Sequence, residues 1–216
     1  MALFLLASFP LFSLLLVWLP WRPERAPDMT FLVGTFFKGL LMFFPGLLAI
    51  LIVRGIFGFS YAGFVLFLSL LQRDQLVPLL AAIASLLILR SNLQISGTEE
   101  ENFLGVFVFL AGFMTMQNIT DVLRAWGNWN SYLLFLLPLQ RLATVLLISL
   151  IAHKFFPWEG RDAVFLIVIA TAISAAFTVP AFFSYSREGW AVLLTVLPLL
   201  AAVLWFTMKF PRVVRA

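Results

Sequence analysis

An arginine near the midpoint of a membrane-length apolar stretch constrains this chain more than any other residue. The stretch runs from Tyr132 to His153 (YLLFLLPLQRLATVLLISLIAH), with Gln140 and Arg141 near its middle, just after Pro138. Its length is close to the roughly 20 residues a helix needs to cross a bilayer. A guanidinium at mid-bilayer costs about 2.5–3.5 kcal/mol on insertion scales, whereas leucine is favourable there. Three placements relieve that cost. The guanidinium can rise along the helix toward the headgroups. It can donate to a carbonyl freed by Pro138, since proline removes one helical hydrogen bond and displaces another. Or it can meet an anion, supplied by a ligand or by another chain.

The sequence offers no carboxylate at the same depth. All ten (Glu24, Asp28, Asp74, Glu99, Glu100, Glu101, Asp121, Glu159, Asp162 and Glu188) fall in or beside polar breaks between apolar segments. Lys38, inside TFLVGTFFKGLLMFFPGLLAILIV, poses the same problem as Arg141 more weakly, because it is near enough to a segment end to snorkel. Two membrane-depth cations and no membrane-depth anion form the imbalance that points toward function. Gln117 and Asn118 end the preceding apolar segment and are candidates to hydrogen-bond with Gln140 or Arg141. The candidate ligand- or partner-binding set is therefore Arg141, Gln140, Lys38, Gln117 and Asn118.

Composition sets the solvent. Hydrophobic residues make up 63% of the 216 and charged residues 11%, against roughly 45–50% and 25% in soluble domains. So apolar a chain needs lipid around it, and its length suits a single transmembrane domain over residues 1–216. The net charge of +4 is dispersed singly or in pairs, with no basic run of the kind that binds nucleic acid. With no cysteine there are no disulfides, iron–sulfur clusters or thiolate zinc sites, and with one histidine, His153, no metal site or other cofactor is expected.

Eight apolar segments can be counted: Ala2–Trp21, Phe31–Val53, Gly55–Leu71, Leu76–Leu89, Phe103–Ile119, Tyr132–Ala152, Ala163–Ser184 and Trp190–Phe210. The fold expected is an all-α, polytopic integral membrane helix bundle of seven or eight such segments. The first lacks a basic leader and a small-x-small cleavage site, and reads as a retained membrane helix rather than a signal peptide. Tryptophans at or near segment ends suit the headgroup layer. The fourth segment is the doubtful one. Its fourteen residues reach about 21 Å as a helix, short of the roughly 30 Å of hydrocarbon. If it does not cross, Arg22, Arg25, Arg73, Arg90, Lys154, Arg161, Lys209, Arg212 and Arg215 share one side, with Arg54, Arg124 and Arg187 opposite. Small residues concentrated from Ala170 to Ala176 suggest that the seventh segment packs centrally.

Other candidate chemistry is thin. Thr98 to Glu101 is a T-x-x-E capping box ahead of an apolar helix, which accounts for the Glu99–Glu101 cluster without a metal. Asp121 and Arg124, three apart, are expected to pair locally. No nucleophile elbow, zinc-protease helix or phosphate-binding loop is present. The expectation is a non-enzymatic, transport-type membrane subunit that binds or conducts an anionic or amphiphilic ligand and draws energy from a partner chain. The alternative is a scaffold or assembly subunit whose cations pair with acids of neighbouring subunits. A lipid-modifying enzyme ranks behind both, for want of an acid/base pair. Partners are thus the lipid bilayer, other membrane subunits and an anionic small molecule or lipid, in a bacterial-type inner or plasma membrane. The cation asymmetry places the C-terminus in the cytoplasm and Met1 on the opposite side; reporter fusions at the two ends should register different compartments.

Overall fold

The computed structural model describes residues 29–56, 63–89, 99–124, 137–155 and 160–185, together with Leu197 and Ala201. Within them the chain is helical throughout and no strand occurs. Five helices follow in order: α1 (Met29–Ile56), α2 (Gly63–Leu89), α3 (Glu99–Arg124), α4 (Leu137–Ala152, continued by a 3-10 turn at His153–Phe155) and α5 (Arg161–Tyr185). α1, α2, α3 and α5 are long and apolar enough to cross a membrane, and α4 is apolar but shorter. The segments Ala2–Trp21 and Trp190–Phe210 lie outside the described residues, Leu197 and Ala201 apart, as does Thr98 of the capping box. The described part of α3 starts at Glu99.

The third and fourth apolar segments are not separate. They merge into the single helix α2, and the polar tetrad Gln72–Gln75 that divides them in sequence lies inside it. LQRDQL contains neither glycine nor asparagine to stop a helix, and Leu71–Leu76 coil as a π-helical turn between two α-helical stretches. The short fourth segment is thus the second half of one 27-residue helix rather than a separate span or re-entrant loop.

Helix α3 is the centre of the bundle. From Asn102 to Val122 its side chains are buried, with Met116, Ile119 and Thr120 half-buried. The small-residue helix α5 does not take that place. One of its faces, with Ala170, Ser174, Phe177 and Ala181, is buried, while Val164, Phe165, Ile167 and Val168 are exposed. Helix α1 is apolar both inward (Leu32, Phe43, Ile50) and outward (Val33, Phe37, Leu41, Phe44, Leu48, Ile52), as expected of a helix solvated by lipid. Several buried hydroxyls in this interior bond to their own helix. Ser85, Thr115, Thr144, Ser149 and Thr178 each donate to the carbonyl four residues back.

Lipid supplies no hydrophobic drive between helices, so their contact depends on close packing. The closest approach is between α1 and α3, where two glycines face each other's backbones. A methyl on Gly39 would land on the carbonyl oxygen of Phe109, and one on Gly112 would land on that of Phe36. One turn or two further along, the ring of Phe113 fills the space over Gly46 and meets Phe43 edge-on, with centroids 5.4 Å apart. Neither glycine can gain a side chain without parting the helices. Gly39→Ala and Gly112→Ala should each destabilise by about 1–3 kcal/mol, as overpacking does, whereas Gly34→Ala, which meets open space, should be neutral or stabilising. Thermal unfolding of the three variants in detergent checks this.

Candidate functional site: a charged cluster at the level of Arg141

Contacts fix how the helices run past one another. Arg54 meets Arg73 and Gly46 faces Ala81, so α1 and α2 are antiparallel. Gly46 with Phe113 and Arg54 with Asp121 make α1 and α3 parallel. Asn118 with Arg141, and Phe103 edge-on to His153, make α3 and α4 antiparallel. Four helices thereby bring polar residues to one level: Arg54 near the end of α1, Arg73 to Gln75 in the π-turn of α2, Gln117, Asn118 and Asp121 toward the end of α3, and Gln140 and Arg141 in the first turns of α4. Helix α5 packs across the π-turn.

Arg141 is the most enclosed of the cluster's charged residues, 2% exposed. Its Nη1 donates to Asn118 Oδ1 at 2.6 Å, and its Nη2 to Asp121 Oδ2 at 2.6 Å and to the backbone carbonyl of Asp74 at 3.0 Å. Asp121 therefore supplies the anion that the sequence placed on a ligand or another chain. Its Oδ2 also accepts from Gln117 Nε2 at 2.8 Å, and its Oδ1 lies 3.5 Å from Arg54 Nη1. One carboxylate sits between two guanidiniums. The face of α3 carrying Gln117, Asn118 and Asp121 turns inward; the side chain of Arg124, the local partner expected for Asp121, lies outside the described residues.

The backbone of α2 completes the site. In a regular α-helix the Arg73 carbonyl would accept from Val77 N–H, but in the π-turn that N–H goes to Gln72. The Arg73 carbonyl accepts instead from Arg54 Nη2 at 2.7 Å. The regular donor to the Asp74 carbonyl would be residue 78, which is proline and has none. Arg141 takes that carbonyl. The expected contact between Arg141 and a proline-freed carbonyl is thus present in kind, but the proline is Pro78 of a neighbouring helix rather than Pro138. Pro138 lies in the first turn of the described part of α4. The π-turn also buries Asp74, whose carboxylate lies 3.3 Å from the guanidine of the half-exposed Arg73, and Gln75, which donates to Gln140 Oε1 at 2.8 Å.

Of the candidates read from sequence, Arg141, Gln140, Gln117 and Asn118 come together here, and Asn118 makes the contact to Arg141 that its position suggested. Lys38 does not join them. It lies sixteen residues before Arg54 on α1, which is about 24 Å along the helix. The premise that no acid lies at the depth of Arg141 is corrected, since Asp74 and Asp121 are both buried there. Sequence reasoning missed Arg54, which no pattern marks, and it missed the four residues Arg73, Asp74, Gln75 and Asp121. Two signals carried them: a polar tetrad with no turn residue and a proline three positions on, and the 117/118/121 spacing that sets three polar residues on one helix face.

Among the described residues no group of histidine and carboxylate side chains could hold a metal ion. The protein is thus an all-helical bundle of membrane type organised round an internal, partly compensated charge cluster. The chain matches no known family model, and no curated protein or solved structure resembles it significantly.

Removing one partner of a buried ion pair typically costs about 3–5 kcal/mol, because the other charge is left uncompensated. Arg141→Leu should lose stability on that scale. Combined with Asp121→Asn, the loss should be smaller than the sum of the two single losses. Thermal unfolding of the four forms in detergent gives the coupling.

Proposed function

We propose that this chain is a transport-type integral membrane subunit, multi-pass in a bacterial-type inner or plasma membrane, that binds or conducts an anionic or amphiphilic ligand at the level of Arg141 and works with a partner chain. The observation that supports this is a residual charge. Arg54, Arg73 and Arg141 stand against Asp74 and Asp121 at one level, so among the described side chains the cluster carries one positive charge in excess, inside helices whose outward faces are mainly apolar. Ionisable groups are rare in membrane segments and face bundle interiors or pathways for solutes. A surplus cation there favours an anion.

The scaffold reading drew on acids contributed by neighbouring subunits to balance Arg141. Asp121 supplies that balance within the chain, so the ligand reading has the stronger support. Merging two apolar segments into α2 keeps the orientation proposed from the cations. Arg73 leaves the count, and the remaining division is eight against three, with Arg22, Arg25, Arg90, Lys154, Arg161, Lys209, Arg212 and Arg215 toward the cytoplasm and Arg54, Arg124 and Arg187 opposite. The test is purification from native membrane with analysis of what co-elutes. An anionic small molecule or lipid retained by the native chain and reduced in Arg141→Lys, which keeps the charge but not the planar fork, is the expected result. Co-elution of proteins alone, unchanged in that variant, would favour the scaffold.

A further inference from the structure

Among the buried polar atoms that the cluster leaves unfilled are three donors round Arg141: Arg141 Nε, Asn118 Nδ2 and Gln140 Nε2. Each belongs to a side chain whose other polar atoms are engaged. Asn118 and Gln140 spend their oxygens on Arg141 and Gln75 and turn their amide nitrogens elsewhere. Buried donors left unpaired are costly, and a native interior gives such groups a partner. Three unfilled donors beside one surplus positive charge call for an acceptor with several oxygens and a single negative charge.

Resting on the ligand-binding reading above, we propose that the ligand group is a singly charged phosphate, seated on Arg141 Nε, Asn118 Nδ2 and Gln140 Nε2. A phosphodiester carries one negative charge, equal to the excess of the cluster, and spreads it over oxygens that only accept. A guanidinium edge and two amide N–H groups suit it. The position within the bundle agrees with this chemistry. On α1 and α3 the cluster stands close to the helix ends, Arg54 just before Ile56 and Asp121 just before Arg124, on the side where headgroup phosphates lie. Arg73, with 44% of its side chain exposed, forms the open edge. Gln117 Oε1, the acceptor left over in the same cluster, accepts from a water or a headgroup hydroxyl. A lipid headgroup and free phosphate share this chemistry.

Two near-isosteric substitutions isolate the donors. Asn118→Asp and Gln140→Glu keep the oxygens that accept from Arg141 and Gln75, but replace each unfilled donor with an acceptor bearing charge. The full chain is purified, delipidated in detergent and titrated separately with phosphatidylglycerol, diacylglycerol and inorganic phosphate, with binding read by native mass spectrometry or intrinsic tryptophan fluorescence. Phosphatidylglycerol or inorganic phosphate should bind, and diacylglycerol should not. Each substitution should weaken phosphate binding about tenfold or more, while the melting temperature stays at or above that of the native chain. Binding of phosphatidylglycerol without inorganic phosphate assigns the site to lipid, and the reverse assigns it to free phosphate. Equal binding of diacylglycerol and phosphatidylglycerol, or undiminished phosphate binding in both variants, overturns the proposal. If a non-phosphate anion co-purifies from native membrane and is lost in Arg141→Lys, the transport reading stands and the phosphate assignment falls. If no anion of any class binds, both fall.

Discussion

A single carboxylate shared between two arginines, in surroundings with little water, is the interaction on which this bundle turns. Asp121 lies against Arg141 on one oxygen and Arg54 on the other, and so ties α1, α3 and α4 at one level. The desolvation of three charges is repaid only where the geometry is good and further hydrogen bonds reach the charged groups. That requirement explains the neighbours: Gln117 turned onto the carboxylate, Asn118 onto the guanidinium, and two main-chain carbonyls of α2 accepting from the arginines. Below this level α1 and α3 are in close contact, with the glycines of each set against the backbone of the other.

The π-turn is what allows α2 to serve the cluster. An uninterrupted α-helix would commit its carbonyls to its own N–H groups and offer the arginines nothing. The widened turn releases Arg73, and Pro78 releases Asp74. Both acceptors are uncharged, so they solvate the guanidiniums without cancelling them. The positive excess of the cluster follows from this use of backbone in place of a third acid.

The membrane class and most helix positions were legible in the sequence, because a run such as VPLLAAIASLLIL leaves little choice but a helix in lipid. Arg141 was legible too, since a lone cation in such a run demands an explanation. Its partner was not. Asp121 and Asp74 stand at the ends of apolar runs, and hydropathy alone assigns those ends to the water side. Their inward direction depends on how far α3 and α2 continue past the apolar stretch and on which face they turn, which are matters of packing. The fusion of two segments was hidden likewise. A polar tetrad resembles a loop until the absence of glycine or asparagine is weighed against it. The exposed faces of α5 show the limit of composition: small residues allow close packing, but α3, with its large phenylalanines, took the centre because two glycines on its contact with α1 let it in.

The shared carboxylate also dictates an order of assembly. Arg54, Asp121 and Arg141 emerge from the ribosome in that sequence, Asp121 following Arg54 by 67 residues (121 − 54) and Arg141 following Asp121 by 20. The end of α1 must enter the membrane with its arginine unmatched, and α4 carries the larger burden because its cation is the most deeply enclosed. Arg141 is made only after its counter-charge, so α3 can receive α4 as a pair rather than leave it to cross alone. A chain interrupted between α3 and α4 would hold Asp121 against Arg54 only. The last of the three helices therefore closes a site that the earlier two have already half built.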